Sequence, residues 1–126
     1  MSPKTKGGSS MKIYVIEDNT VYNEYVCNLL KKGGFKTEQA YHLNTAKKLL
    51  TKIGDDDIVL ADLRLPEGDS IELLRWMRKN EMRHPFIVMT NYGEVGSAVE
   101  SMKLGSKDYI QKPLLEDKLL PLIRSI

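Results

Sequence analysis

One cysteine, Cys27, is all the chain has. An internal disulfide and a cysteine-built metal cage are therefore excluded, and a reducing cytosol fits. No apolar run approaches the ~20 residues that span a bilayer, and no apolar stretch near the start would make a signal peptide. Charge of one sign is scarce too: 19 Lys and Arg against 17 Asp and Glu leave a net charge of +2. That is too mild to imply a nucleic-acid or membrane surface by itself. Internal repeats are absent, and the only low-complexity stretch is MSPKTKGGSS at the start. Residues 1–10 are expected to be a tag or flexible leader, with Met11 as the natural start and 11–126 as one domain, since 126 residues suffice for one core and not two.

What the chain does have is alternation. Apolar runs with strand character are expected at 12–17, 35–41, 58–62, 86–90 and 108–111, separated by helical patterns at 20–32, 44–53, 71–80, 95–104 and from 115 onward. Asn19, Asn44 and Ser70 or Asp69 can cap the first three helices. Val21, Tyr22, Tyr25, Val26, Leu29 and Leu30 keep helical spacing in the first. Gly33-Gly34, Gly54 and Gly105 supply stops. Lys36 and Glu38 give the second strand the mixed polarity of a sheet edge. Pro121 lies inside the last helix and predicts a late start, a kink or fraying there. Strand–helix alternation with short loops implies an α/β fold, a parallel five-stranded sheet with helices on both faces. A flavodoxin-like order 2-1-3-4-5 would set the first and third strands side by side.

The carboxylates then fall in a telling place. Glu17-Asp18 ends the first apolar run and Asp62 the third, while Thr90 and Lys112 end the fourth and fifth. Ligands in open α/β sheets bind outside the carboxyl ends of the strands, so an acidic pair, a lone Asp, a hydroxyl and an ammonium would share one rim. Clustered carboxylates repel one another unless a cation joins them. Mg2+ takes carboxylates, waters and phosphate oxygens, and a carboxylate can act as a nucleophile toward phosphorus. Lys112 and the Thr90 hydroxyl can cover the remaining phosphoryl oxygens.

Four stretches, VIED (15–18), IVLADLRLPEGDS (58–70), MTNYG (89–93) and AVESMKLGSKDYIQKPL (98–114), occur in order at these strand ends. With them the chain, from Lys12 to about Ile126, resembles the receiver domain of two-component response regulators. MTNYG and MKLGSKDYIQKP look closest to receivers of the nitrogen-regulator (NtrC) type. The resemblance implies that Asp62 accepts a phosphoryl group from a sensor histidine kinase. It implies a Mg2+ site of Glu17, Asp18, Asp62 and the backbone carbonyl of Arg64. Thr90 would be the switch hydroxyl, Tyr109 the switch aromatic, Lys112 the phosphate-binding lysine, and Lys112–Pro113 a cis peptide. Phosphorylation would reshape the surface of the fourth helix, fifth strand and last helix, through which a homodimer, an output domain or a downstream protein is controlled. Transcription regulation in the cytoplasm would follow, with no direct nucleic-acid or membrane binding by this domain. An output domain cut away beyond Ile126, or a stand-alone receiver, are both consistent with this.

Departures from the family pattern are Ser70, where Gly is usual, and Asn91, where a small residue is common. Arg64 and Tyr92 stand at flanking positions that tune kinetics in the family. Blander readings sit beside the sharp ones. Glu17-Asp18 can cap the first helix, Thr90 can be a plain β-branched strand residue, Tyr109 ordinary core and Lys112 a solvated lysine. The Asp55-Asp56-Asp57 run precedes the third strand, about 15 Å from Asp62 at ~3.3 Å per residue, and reads as a solvated loop. His42 and His84 read as surface or loop residues, and Cys27 as a small helix residue. Two competing functions remain: a non-phosphorylated pseudo-receiver docking module, and a Mg2+ phosphatase with an Asp nucleophile, for which Arg64 stands where a second acid is needed.

Overall fold

The computed structural model describes residues 11–91 and 94–126. The expected leader at 1–10, Tyr92 and the Gly that ends MTNYG lie outside the described residues. Five parallel strands form one sheet: β1 (Lys12–Ile16), β2 (Lys36–Ala40), β3 (Ile58–Asp62), β4 (Phe86–Thr90) and β5 (Asp108–Gln111). Their order is β2-β1-β3-β4-β5, with Ile16 opposite Ala61, Asp62 opposite Met89 and Thr90 opposite Gln111. The chain reverses direction across the sheet between β1 and β3, so a crevice opens there at the carboxyl ends.

Helices α1 (Thr20–Lys32), α2 (Leu43–Leu50), α3 (Ile71–Lys79), α4 (Val95–Lys103) and α5 (Glu116–Arg124) join the strands. The continuous apolar strands divide between the two faces with period two. Ile13, Val15, Ile58, Leu60, Ile87 and Met89 pack with α1 and α5 residues Val26, Cys27, Leu30, Leu119, Leu120 and Ile123. Tyr14, Ile16, Val59, Ala61, Phe86 and Val88 pack with Leu43, Ala46 and Leu50 of α2 and Leu73, Leu74 and Met77 of α3. This two-sided burial explains why the strands carry unbroken apolar runs rather than alternation.

Several local expectations change. Asn44 lies within the first turn of α2. His42 holds the cap position without a side-chain cap bond, and the Leu43 N–H instead donates to the Glu67 carboxylate at 3.3 Å. Ser70 precedes α3 with helical backbone angles, so its hydroxyl makes no cap bond. The loop after β3 folds into a short antiparallel hairpin, Arg64–Leu65 against Gly68–Asp69. Asp57 is buried, not solvated: its carboxylate accepts the Lys12 N–H at 2.9 Å and the Gly54 N–H at 2.7 Å. The helix α5 runs through Pro121 to Arg124; the ring, on an exposed side, forfeits one backbone bond. At the end of α1, Gly34 adopts φ +93°, and the Gly34 and Phe35 N–H groups bond the Lys31 and Leu30 carbonyls. That left-handed stop turns the chain directly into β2.

Candidate functional site

Four of the five strands deliver groups to the carboxyl edge. Just past β1 come Glu17 and Asp18, the first buried and the second exposed. β3 ends in Asp62, only 5% exposed. Carboxylate oxygens of these three residues lie within 4.8 Å of one another. Lys112, just past β5, places its ammonium 2.5 Å from Glu17 Oε1 and 3.3 Å from Asp62 Oδ2. Its backbone N–H donates to the Thr90 carbonyl at 2.7 Å, tying the ends of β4 and β5 together, and the Lys112–Pro113 peptide is cis.

The electrostatics are uneven. Burial first, and then the Glu17 charge, push the Asp62 carboxyl up to about 6, against the opposing pull of Lys112. For Lys112, burial works to lower the ammonium. The Glu17 hydrogen bond and the charges of Asp62 and Glu17 outweigh it and hold the group above its ordinary value. The unequal distances explain the pattern: Lys112 leans to Glu17, and Asp62 is left undercompensated.

Three buried side-chain oxygens at this end of the sheet have no hydrogen-bond partner among the described residues: Asp62 Oδ1, Thr90 Oγ1 and Ser70 Oγ, whose backbone N–H is held by the Leu63 carbonyl just past β3. Buried polar groups are nearly always paired, so Asp62 Oδ1, orphaned on a carboxyl that meets the Lys112 ammonium and clusters with two more carboxylates, marks a place for a ligand. Three oxygen donors at this spacing fit a hard divalent cation such as Mg2+. Tyr109 is half-buried on β5, packed against the α2–α3 side of the core. The Arg64 side chain is taken up elsewhere, donating to Glu94 at 2.7 Å and Asp69 at 2.5 Å. Ser70 is fully buried, its hydroxyl without a partner among the described residues. His42 is exposed beside Glu67 at 3.1 Å.

Three residues of α1 belong to the site and were not expected there. Asn23 is fully buried. Its amide nitrogen donates to the carbonyls of Glu17 at 3.0 Å, Ala40 at 3.2 Å and Val15 at 3.3 Å, and its amide oxygen accepts from Gln39 at 2.9 Å. It thus pins the backbone of the acidic pair to the ends of β1 and β2. The signal was available: positions 23, 26, 27 and 30 keep the helical spacing of a buried stripe, while Val21 is 79% exposed. Tyr22 and Tyr25 reach across to the segment after Lys112.

Comparison with known proteins agrees with this geometry. The chain matches the family described as the response regulator receiver domain over residues 13–124 and belongs to it: it is a receiver domain, the phosphoacceptor signalling module of two-component systems. It is 38% identical over 108 residues to the regulatory protein AtoC of Escherichia coli K12, covering 86% of this chain and 23% of AtoC. It is 35% identical over 115 residues to the transcriptional regulatory protein FixJ of Bradyrhizobium diazoefficiens, covering 90% of this chain and 55% of FixJ. The crystal structure of full-length FixJ from B. japonicum superposes with a TM-score of 0.85 at 34% identity, over 90% of this chain and 56% of that one. The receiver domain of NtrX from Brucella abortus shares the fold, with a TM-score of 0.80 at 24% identity over 90% of this chain and 94% of that one. The chain thus spans about half of FixJ and about a quarter of AtoC.

Proposed function

We propose that Asp62 is the phosphoacceptor of this receiver and that its donor is the phosphohistidine of a sensor kinase. A carboxylate oxygen of Asp62 attacks phosphorus, the P–N bond to the donor histidine breaks, and the ring nitrogen keeps the electron pair. Such transfers depend on positioning and charge neutralisation. The observation that carries the reading is the pair of orphaned buried oxygens, Asp62 Oδ1 and Thr90 Oγ1, at the ends of adjacent strands beside Lys112. Glu17, Asp18 and Asp62, with the Arg64 backbone carbonyl, would hold Mg2+, which when bound offsets carboxylate repulsion and phosphoryl charge. Lys112 neutralises a further phosphoryl oxygen, and the Thr90 hydroxyl donates to another.

Drawing Thr90 inward leaves room for Tyr109 to turn from its half-buried position, which reshapes the face made by α4, β5 and α5. That face is the contact for a homodimer, an output domain or a downstream partner. The names of FixJ and AtoC, both regulatory proteins, support an output in transcription regulation, as in receivers of the NtrC type. No described helix is long and apolar enough to cross a membrane, and a kinase donor that spends ATP fits a cytoplasmic setting. The test is incubation with acetyl phosphate and Mg2+ followed by intact mass. One phosphoryl group is expected on the wild-type chain and none on Asp62→Asn. A wild-type chain that stays unmodified, or a variant that gains the group, overturns the assignment.

A further inference from the structure

We infer that Tyr22 is a positioning residue for Lys112, holding the ammonium through the face of its ring; this rests on the reading of Lys112 as a phosphoryl-binding group. The Lys112 ammonium lies 4.7 Å from the Tyr22 ring centroid, within the range where a cation is drawn to an aromatic face. The same tyrosine holds the backbone from which Lys112 springs. The Leu114 N–H donates to the Tyr22 hydroxyl at 2.8 Å. Tyr25, one turn on and 5.4 Å away between ring centroids, donates its hydroxyl to the Leu114 carbonyl at 2.7 Å. Both backbone polar groups of Leu114 are therefore gripped by α1, and Leu114 itself is fully buried. Tyr22 is half-buried and packs against the α1–α5 side of the core, yet it also presents its ring face to the Lys112 ammonium and its hydroxyl to the Leu114 N–H.

The ring offers something the carboxylates do not. Lys112 is held at present mainly by Glu17, at 2.5 Å, and Glu17 is also a carboxylate of the acidic cluster. A divalent cation placed there competes with the ammonium for the Glu17 charge. A neutral aromatic face is outside that competition. Lysine has four rotatable side-chain bonds and a compact charge, so a contact that persists when the carboxylates are engaged keeps it aimed at the crevice. Tyr22 fixes the aim and Lys112 does the chemistry.

The test separates ring electrostatics from shape. Tyr22→Phe serves as the reference, and a series of increasingly fluorinated phenylalanines at position 22 weakens the ring's negative face at nearly constant size. With acetyl phosphate and Mg2+, the rate constant at saturating donor should fall stepwise, by about three- to tenfold across the series, with Tyr22→Leu at the bottom. Thermal midpoints should stay level along the fluorinated series. A second readout needs no chemistry: the NMR signals of the Lys112 side chain should carry a ring-current shift in Tyr22→Phe that disappears in Tyr22→Leu. Equal rates along the fluorinated series, or rates that follow the thermal midpoints, would overturn the positioning role. An unshifted Lys112 signal in the metal-free Phe variant would do so as well. Failure of the wild-type chain to take a phosphoryl group would instead count against Asp62 as acceptor, and the NMR arm would still decide where Tyr22 holds the lysine.

Discussion

Lys112 and Glu17, 95 positions apart in the sequence, are joined by a 2.5 Å contact that links the end of β1 to the segment just past β5 across the carboxyl edge of the sheet. Glu17 is almost completely buried and Lys112 mostly so, so neither charge is well served by water. Removing one partner of such a pair strands the other. Lys112→Met should destabilise the fold by about 2–3 kcal/mol at neutral pH, measured by urea unfolding. It should also raise the Asp62 carboxyl further, since Lys112 is what opposes burial there. A variant as stable as the wild type would show that the ion pair contributes little.

The displaced ionisation of Asp62 makes a pH prediction with a definite sign. Its carboxyl is pushed up to about 6 in the folded chain by burial and by Glu17, against about 4 when unfolded. Between these values the folded state binds more protons than the unfolded one, so this group's contribution to stability falls as pH rises through the window. Above it, the ionised carboxylate costs roughly 2–3 kcal/mol. Asp62→Asn removes that cost. In metal-free buffer it should be more stable than the wild type at pH 7.5, with the gap closing near pH 4. A gap that ignores pH, or has the opposite sign, would contradict the environment described for Asp62.

Asn23 joins three strand-end carbonyls with one amide. Asn23→Leu keeps the branched shape and removes the side-chain donor from those carbonyls, of which Ala40 retains the Glu17 N–H. A loss of about 2–3 kcal/mol is expected, together with weaker Mg2+ binding, because the backbone of Glu17 is freed. Isothermal titration of Mg2+ against the variant checks the second effect. Unchanged affinity would confine Asn23 to a structural role.

Why was the fold legible from sequence when parts of the site were not? The strand ends read correctly because unbroken apolar runs stop at polar residues, and β3, β4 and β5 begin and end where the pattern places them. The groups gathered at the crevice were legible for the same reason, being fixed by strand length and sheet order. What escaped depends on partners distant in the chain. The amide of Leu43 is satisfied by Glu67, 24 residues on, so no local rule for Asn44 could find the start of α2. Asp57 is buried because the N–H of Lys12 reaches it from 45 residues away. Tyr22 does pack against the core as its helical spacing implies, but spacing alone does not reveal that its hydroxyl and that of Tyr25 meet the backbone of Leu114, far along the chain.

Asp18 supplies the last prediction. It is the exposed member of the acidic cluster, so it should serve affinity for the ion more than the stability of the empty fold. Asp18→Asn should leave metal-free unfolding within about 0.5 kcal/mol of the wild type while weakening Mg2+ binding at least tenfold. The wild-type chain at a hundred times its dissociation constant should gain about 2.7 kcal/mol from Mg2+. The gain should be larger at pH 7.5 than at pH 5, because a protonated Asp62 is a poor ligand and its carboxyl titrates near 6. Thermal unfolding with and without Mg2+, at both pH values and for both proteins, measures each part. A Mg2+ effect that survives intact in Asp18→Asn, or that grows on acidification, would place the ion somewhere other than the crevice between β1 and β3.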